Sequence, residues 1–375
     1  MKFSCTKENL LYSLDVVSPL AQKHIHLPVL MNTHIVATES GVSISTTNLE
    51  TAIRVQVRAK VEQTGSFTVP AKTLLDFVKL ITTDQVELSL VNNELFIKAG
   101  SSSTKIKGIP ADEYPVLPDV EEEHAYVISV ENLKTAIEKT VFSVAKNEIR
   151  PELSGVFFSF FSERFKGLIC ASTDSYRLSE MRVVVEQGTE ELVTCIVPAR
   201  VAYEINRLLQ LGKNHDGEER VRVWVSENQI AIRYDNFEMT NRLIEGNYPD
   251  YTQIIPDNFK TNATTNIEIL KNKIKAASLF TTIGINAVSF DLNVSENNIG
   301  ISSTSTQTGE HSSEIDAVLT GEENSILLNH RYVLDGLSHI ETDDVEFCVN
   351  SKDAPCLFRG TGTNPYLYIV MPIRQ

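Results

Sequence analysis

The sequence is poor in the features that mark several common protein classes. Its five cysteines, Cys5, Cys170, Cys195, Cys348 and Cys356, are scattered, odd in number and contain no C-x-x-C pair. That argues against a disulfide framework or a zinc ribbon and for buried thiols in a reducing cytoplasm. No apolar run approaches the roughly 18 residues that a membrane helix needs. The opening "MKFSCTKENLLYSLD" lacks the apolar core and small-residue cleavage site of a secretory leader, so none is expected. His24 and His26 resemble a metal pair, but no third ligand stands at useful spacing. No Ser/His/Asp order or H-E-x-x-H pattern occurs, and Asp174 has no second carboxylate nearby in sequence. The G-x-G of "RGTGTNP" (359–365) lies between strands and reads as a turn rather than a phosphate cradle. The lone tryptophan, Trp224, sits in an alternating strand pattern, which favours packing over base stacking. Positive charge is also scarce: the net charge is −15, by itself an objection to nucleic-acid binding.

Repetition is abundant. "VPAKTLLDFVKLI" begins at Val69, "VPARVAYEINRLLQL" at Val197, and a looser "LNHRYVLDGLSHI" at Leu328. Each precedes a stretch that alternates apolar and polar residues, turns at Asn, Ser or Lys, and alternates again: 85–100, 220–235 and 344–360. That is the pattern of a hairpin with one face on a core. The first two copies close on Tyr-Pro, at Tyr114 and Tyr248, read as domain-closing turns. The fronts match too: "MKFSCTKENLLYSL", "AYVISVENLKTAIEKT" and, more faintly, "TNIEILKNKIKAASLF". A chain of 375 residues written three times over implies three domains, 1–121, 122–254 and 255–375.

Within each copy the order is strand, helix, three strands, then strand, helix and hairpin. Helices are expected over 6–18, 70–81, 131–146, 198–213, 270–280 and 329–340, with Pro70 and Pro198 in their first turns. Leu74, Leu75, Phe77, Val78 and Ile81 form one apolar stripe, so each helix should lie on a sheet. The fold class is α+β: three repeated domains, each with two helices packed on antiparallel sheets. The six helical segments together carry +6, which leaves −21 for the remainder. Lysines on any single helix are ordinary solvent-facing residues. Sorted onto repeated helices, they describe a cationic side that attracts phosphates without reading bases, on an otherwise repulsive protein.

With these repeats, "TDSYRL" (173–178), "YPDY" (248–251) and the terminal "VMPIR" in order from end to end, the chain resembles the bacterial sliding clamps, the β subunits of DNA polymerase III. The resemblance implies a DNA clamp fold, half of a six-domain ring closed by a head-to-tail homodimer around duplex DNA. It implies binding of the replicative polymerase and a clamp loader, with no catalytic step, no cofactor and no metal. A partner-peptide cleft would be built from Leu153, Thr173, Tyr176, Arg177, Leu178, Pro249 and Ile254. Asn329, Tyr332, Val370, Met371, Pro372, Ile373 and Arg374 would complete it, with Arg177 and Arg374 holding a peptide carbonyl or carboxylate at the rim. Ser175 and Tyr176 stand where the family usually has Gly and His, and Ile373 where it has Met. DNA-facing positions implied by the resemblance and by the helix charge are Lys23, His24, Lys72, Lys146, Asn147, Arg200, Lys271, Lys273 and Lys275. The subunit junction would set Thr104, Lys105 and Ile106 against Leu279 and Phe280. The sequence is also compatible with two rival readings, a monomeric repeat scaffold that binds proteins without DNA and an enzyme with a site between repeats.

Overall fold

The computed structural model describes residues 1–22, 26–117, 125–147, 149–212, 219–282, 284–362 and 365–374. Six α-helices are present among them: α1 (Lys7–Val17), α2 (Ala71–Leu80), α3 (Val130–Val141), α4 (Ala199–Leu211), α5 (Ile267–Ser278) and α6 (His330–Leu337). Each follows a strand directly. Thr6, Asn266 and Asn329 cap α1, α5 and α6 with side-chain oxygens that accept from backbone amides of the first turn. Pro70 and Pro198 end the strands Gly65–Pro70 and Val193–Pro198, one position before the helical turn rather than inside it. In α2 Ala71, Leu74 and Val78 are buried, as is Ile81 just past its end, whereas Leu75 and Phe77 are only half-buried, so the apolar stripe is narrower than its sequence suggests.

The chain divides into two compact units. The first comprises Met1–Val130, Glu186–Thr189 and Glu204–Leu243. It holds a five-stranded antiparallel sheet in the order Ala59–Gln63, Lys2–Thr6, Gln85–Val91, Glu94–Ala99, Ser102–Lys107. Its eight-stranded sheet runs Tyr126–Ser129, Arg220–Val225, Gln229–Tyr234, Phe237–Arg242, Thr51–Val57, Gly41–Thr47, Asn32–Thr38, Gly65–Pro70. α1 packs on Thr51–Val57 and against α2. Arg207 donates to the Asp15 and Val16 carbonyls at the end of α1 (3.2 and 2.9 Å), satisfying acceptors that a helix terminus leaves open.

The second unit comprises Glu131–Val185, Glu190–Tyr203 and Ile244–Gln375. Its nine-stranded sheet runs Val193–Pro198, Gly155–Phe160, Leu168–Thr173, Arg177–Val183, Tyr366–Val370, Cys356–Gly360, Asp344–Val349, Thr261–Asn266, Val318–Gly321. A four-stranded sheet runs Gly309–Asp316, Asn298–Ser305, Ala287–Asn293, Asn324–Asn329. Phe347 and Phe358 stack at 4.4 Å in its core, with Phe290 edge-on to Phe347 at 5.7 Å. All five cysteines are buried and unpaired.

One joining rule accounts for both large sheets. The last strand of the second repeat, Phe237–Arg242, pairs with Thr51–Val57 of the first, Asn241 opposite Thr51. The last strand of the third, Tyr366–Val370, pairs with Arg177–Val183 of the second, Val370 opposite Arg177. The equivalent last strand of the first repeat, Ser102–Lys107, is a sheet edge, and so is Gly309–Asp316, the acceptor strand of the third. Two matching edges are left over.

Candidate functional site

The turn "TDSYR" between Leu168–Thr173 and Arg177–Val183 is built by its own side chains. Thr173 Oγ1 donates to the Arg177 carbonyl (2.6 Å) and accepts from the Ser175 amide (3.1 Å). Asp174 Oδ1 accepts from the Tyr176 and Arg177 amides at 3.0 and 3.1 Å. The turn closes only if residue 175 enters the left-handed region, and Ser175 has φ 76°. A Cβ there costs about 1–2 kcal/mol, from which glycine is exempt. Ser175→Gly should therefore raise the unfolding free energy by about 0.5–1 kcal/mol, the gain partly offset by glycine's greater freedom when unfolded. A urea titration checks this, and an unchanged or lower midpoint would contradict it.

Arg177 is the hub beneath the turn. Only 5% exposed, it donates through Nε to Asp174 (3.0 Å), through Nη1 to Asp335 (2.6 Å) and through Nη2 to the Phe142 carbonyl (3.0 Å). Its guanidinium lies 4.8 Å from the Tyr332 ring centre and 5.5 Å from that of Phe142. Burial opposes the charge, but Tyr368, Asp174 and Asp335 outweigh it, and the pKa is raised. The expected rim role is thus corrected: Arg177 is a wall residue whose guanidinium is engaged by the protein itself.

Beside this hub lies a cleft of about 220 Å³ lined by Leu153, Thr173, Ser175, Arg177, Pro249, Tyr251, Ile254, Ile369 and Met371, with Arg150 and Asp250 at its polar margin. Leu153, Thr173, Arg177, Pro249, Ile254 and Met371 are thus gathered as the sequence suggested. Leu178 and Val370 are fully buried, Leu178 in a cluster with Ala171, Tyr251, Cys348, Leu357 and Ile369. They form the floor rather than the lining. Tyr176, 62% exposed, stacks on Tyr332 at 6.3 Å and 16°. Asn329 is the N-cap of α6. The Met371 amide donates to the Tyr176 carbonyl and the Ile373 amide to the Leu327 carbonyl, both at 2.8 Å, holding the terminal segment beside the cleft. Pro372 and Ile373 are half-buried and Arg374 is exposed. Ile373 faces a separate, more polar hollow of about 470 Å³.

Tyr251 was missed by sequence reasoning although "YPDY" was in view. Its hydroxyl donates to Glu180 (2.7 Å), a fully buried carboxylate that also accepts from Arg164 (2.9 Å) and Arg182 (2.8 Å). That satisfied network fixes the tyrosine in the cleft wall.

Among the expected DNA-facing positions, Lys72, Lys146, Asn147, Arg200 and Lys275 are exposed and Lys273 is half-buried. Lys271 is held by Glu268 at 2.8 Å. Lys23 and His24 lie outside the described residues. α3 ends at Val141, so Lys146 stands beyond it, and α5 begins early enough to include Glu268. Over the observed helices the summed charge is +3 rather than +6, because Lys146 drops out, Glu268 enters and Lys213 lies outside the described residues. Of the expected junction residues, Thr104, Lys105 and Ile106 lie on the Ser102–Lys107 edge strand. Leu279 is 70% exposed just past α5, and Phe280 stacks on His311 of the Gly309–Asp316 edge strand at 5.7 Å. Among the described residues, no helix is long and apolar enough to cross a membrane.

Three family models match the chain in succession: the DNA polymerase III beta subunit N-terminal domain over residues 1–118, its central domain over 127–250 and its C-terminal domain over 252–374. A Beta sliding clamp of Bacillus subtilis is 29% identical over 384 residues, covering 100% of both chains. One from Staphylococcus aureus is 29% identical over 386 residues, covering 100% of this chain and 99% of the relative. The solved DNA polymerase sliding clamp from Bacillus subtilis superimposes with a TM-score of 0.91 at 29% identity, covering 100% of this chain and 99% of that one. The DNA polymerase III subunit beta from Pseudomonas aeruginosa, at 24% identity, shares the fold with a TM-score of 0.92 over 100% of each chain.

Proposed function

The chain belongs to the DNA polymerase III beta-subunit family, and from that premise we propose that it is a DNA sliding clamp, a homodimeric ring that encircles duplex DNA. The observation that carries this reading is the pair of leftover strand edges. Ser102–Lys107 of one copy is the donor, and Gly309–Asp316 of another the acceptor, in the joining rule that the chain already obeys twice. A head-to-tail contact that uses both edges on both copies closes a ring and removes two templates for aggregation. Lys105 and Lys107 on one edge and Glu310 and Glu314 on the other favour unlike edges over like ones.

Three domains per chain, 1–121, 122–254 and 255–375, give six per ring. Lys72, Lys146, Asn147, Arg200, Lys273 and Lys275 supply sequence-independent phosphate contacts, each individually dispensable. Lys271 acts once its tie to Glu268 opens. The Met371 cleft takes a short peptide of the replicative polymerase, the clamp loader or another partner. Its apolar anchors rest against Leu153, Pro249, Ile254 and the adaptable Met371, while Arg374 meets a polar or acidic group at the rim. The protein is a non-catalytic processivity subunit that works in the cytoplasm, and its five unpaired cysteines suit a reducing compartment.

Sedimentation equilibrium tests the assembly. The particle should have a mass near twice 41.8 kDa, persisting on dilution. A monomer would favour the scaffold reading instead.

A further inference from the structure

The turn that shapes the Met371 cleft has an unadvertised twin in the first compact unit. "TTNLET" shares little with "STDSYR", yet the backbone repeats it bond for bond. Thr47 Oγ1 donates to the Thr51 carbonyl (2.8 Å) and accepts from the Leu49 amide (3.0 Å). Asn48 Oδ1 accepts from the Glu50 and Thr51 amides at 3.1 and 2.8 Å. Leu49 has φ 76°, the value found at Ser175. The Arg242 amide donates to the Glu50 carbonyl at 3.1 Å, as the Met371 amide donates to the Tyr176 carbonyl. Pro115 follows Tyr114 as Pro249 follows Tyr248.

These elements enclose a cleft of about 320 Å³ lined by Leu49, Ala52, Pro115, Val116, Leu117 and Arg242, among others. Two residues of it leave apolar surface open to solvent. Leu49 is a branched residue in the left-handed region with 49% of its surface in solvent, and Val116 is 97% exposed. Arg242 stands where the first cleft has Met371 and is exposed, and Glu50 also lines the cleft. On a chain of net charge −15, such a cation beside apolar surface selects its ligand by charge.

We propose that this second cleft is a peptide-docking site for an extended segment of a partner protein, an acidic side chain meeting Arg242 and an apolar one resting on Leu49 and Val116. The analogy rests on the Met371 cleft taking peptides, but occupancy of the second cleft is a separate event. Full-length protein carrying Met371→Glu, which fills the first cleft with charge, is panned against capped hexapeptides bearing one aspartate and one leucine at varied spacing. Selected peptides should bind this protein and the unsubstituted one alike, and slow amide exchange in Thr47–Ala52 and Phe237–Arg242. Arg242→Glu should weaken them about tenfold or more, and exchanging the peptide's aspartate for lysine should restore binding to that variant. Leu49→Ser, at a half-exposed position, should weaken them independently. Failure to select any peptide on the Met371→Glu protein, or selected peptides indifferent to both Arg242→Glu and Leu49→Ser, would overturn the proposal. Peptides that bind the unsubstituted protein but not the Met371→Glu one would support the first cleft and refute the second.

Discussion

Protein carrying both Thr104→Cys and Ser312→Cys should become a covalently closed dimer on mild oxidation, while each single variant stays monomeric on a denaturing gel. The register behind this pair comes from the two joins present within the chain. At both, the residue four positions beyond the turn threonine, Thr51 after Thr47 and Arg177 after Thr173, faces the closing strand. Ser305 takes the threonine's place in the third repeat, its Oγ accepting from the Gln307 amide at 3.3 Å, which makes Gly309 the equivalent residue. Lys107 precedes Tyr114 by the same interval as Asn241 precedes Tyr248. Lys107 thus faces Gly309 of the other copy, and counting back along antiparallel strands puts Thr104 opposite Ser312. Facing Cβ atoms in such a pair lie about 4.5–5.5 Å apart, within small adjustments of disulfide reach. All five native cysteines are buried, and burial pushes the Cys5, Cys195 and Cys348 thiols up to about 12, so background oxidation is slow. Cross-linking by either single variant alone would show a symmetric contact and refute the head-to-tail register.

Deleting residues 371–375 should abolish polymerase-peptide binding yet leave the dimer intact. The deletion removes Met371 from the cleft wall together with the amides that tie the segment to Tyr176 and Leu327. Loss of a central apolar anchor weakens binding by about a hundredfold or more. Val370, fully buried, and its pairing with Arg177 and Cys356 remain, so the core beneath is preserved. Fluorescence anisotropy of a labelled polymerase-tail peptide reads the first effect and sedimentation the second. Separation into monomers would show that the segment serves the junction rather than the cleft.

The helices and sheets were legible because repetition marks them three times over. A strand running into Val-Pro-Ala, an apolar stripe and then a hairpin is hard to misread when it recurs in order. The end of α3 was not, because "VFSVAK" continues the apolar spacing of a helix. The chain instead turns there, with the Ser143 amide bonding to the Thr140 carbonyl and the Ser143 hydroxyl engaging Ser179 at 2.9 Å. The role of Arg177 was equally hidden, since its partners Phe142 and Asp335 stand 35 and 158 residues away in sequence. Tyr251 was overlooked for the same reason: Glu180, which fixes it, lies 71 residues back. The second cleft was overlooked because the only shared signal, a Thr-Asx pair at Thr47-Asn48 and Thr173-Asp174, is short and runs into the unlike residues Leu49 and Ser175. Local propensity leaves a trace in sequence, whereas long-range side-chain partnerships and backbone equivalence do not.

A ring that holds the duplex by being threaded on it should behave distinctively on nicked circular DNA. After loading, complexes should survive salt that strips ordinary phosphate binders, because a closed ring does not depend on counterion release. They should then dissociate when the circle is linearised. Protein that stays on the DNA after cutting, or that leaves intact circles as salt rises, would contradict encirclement.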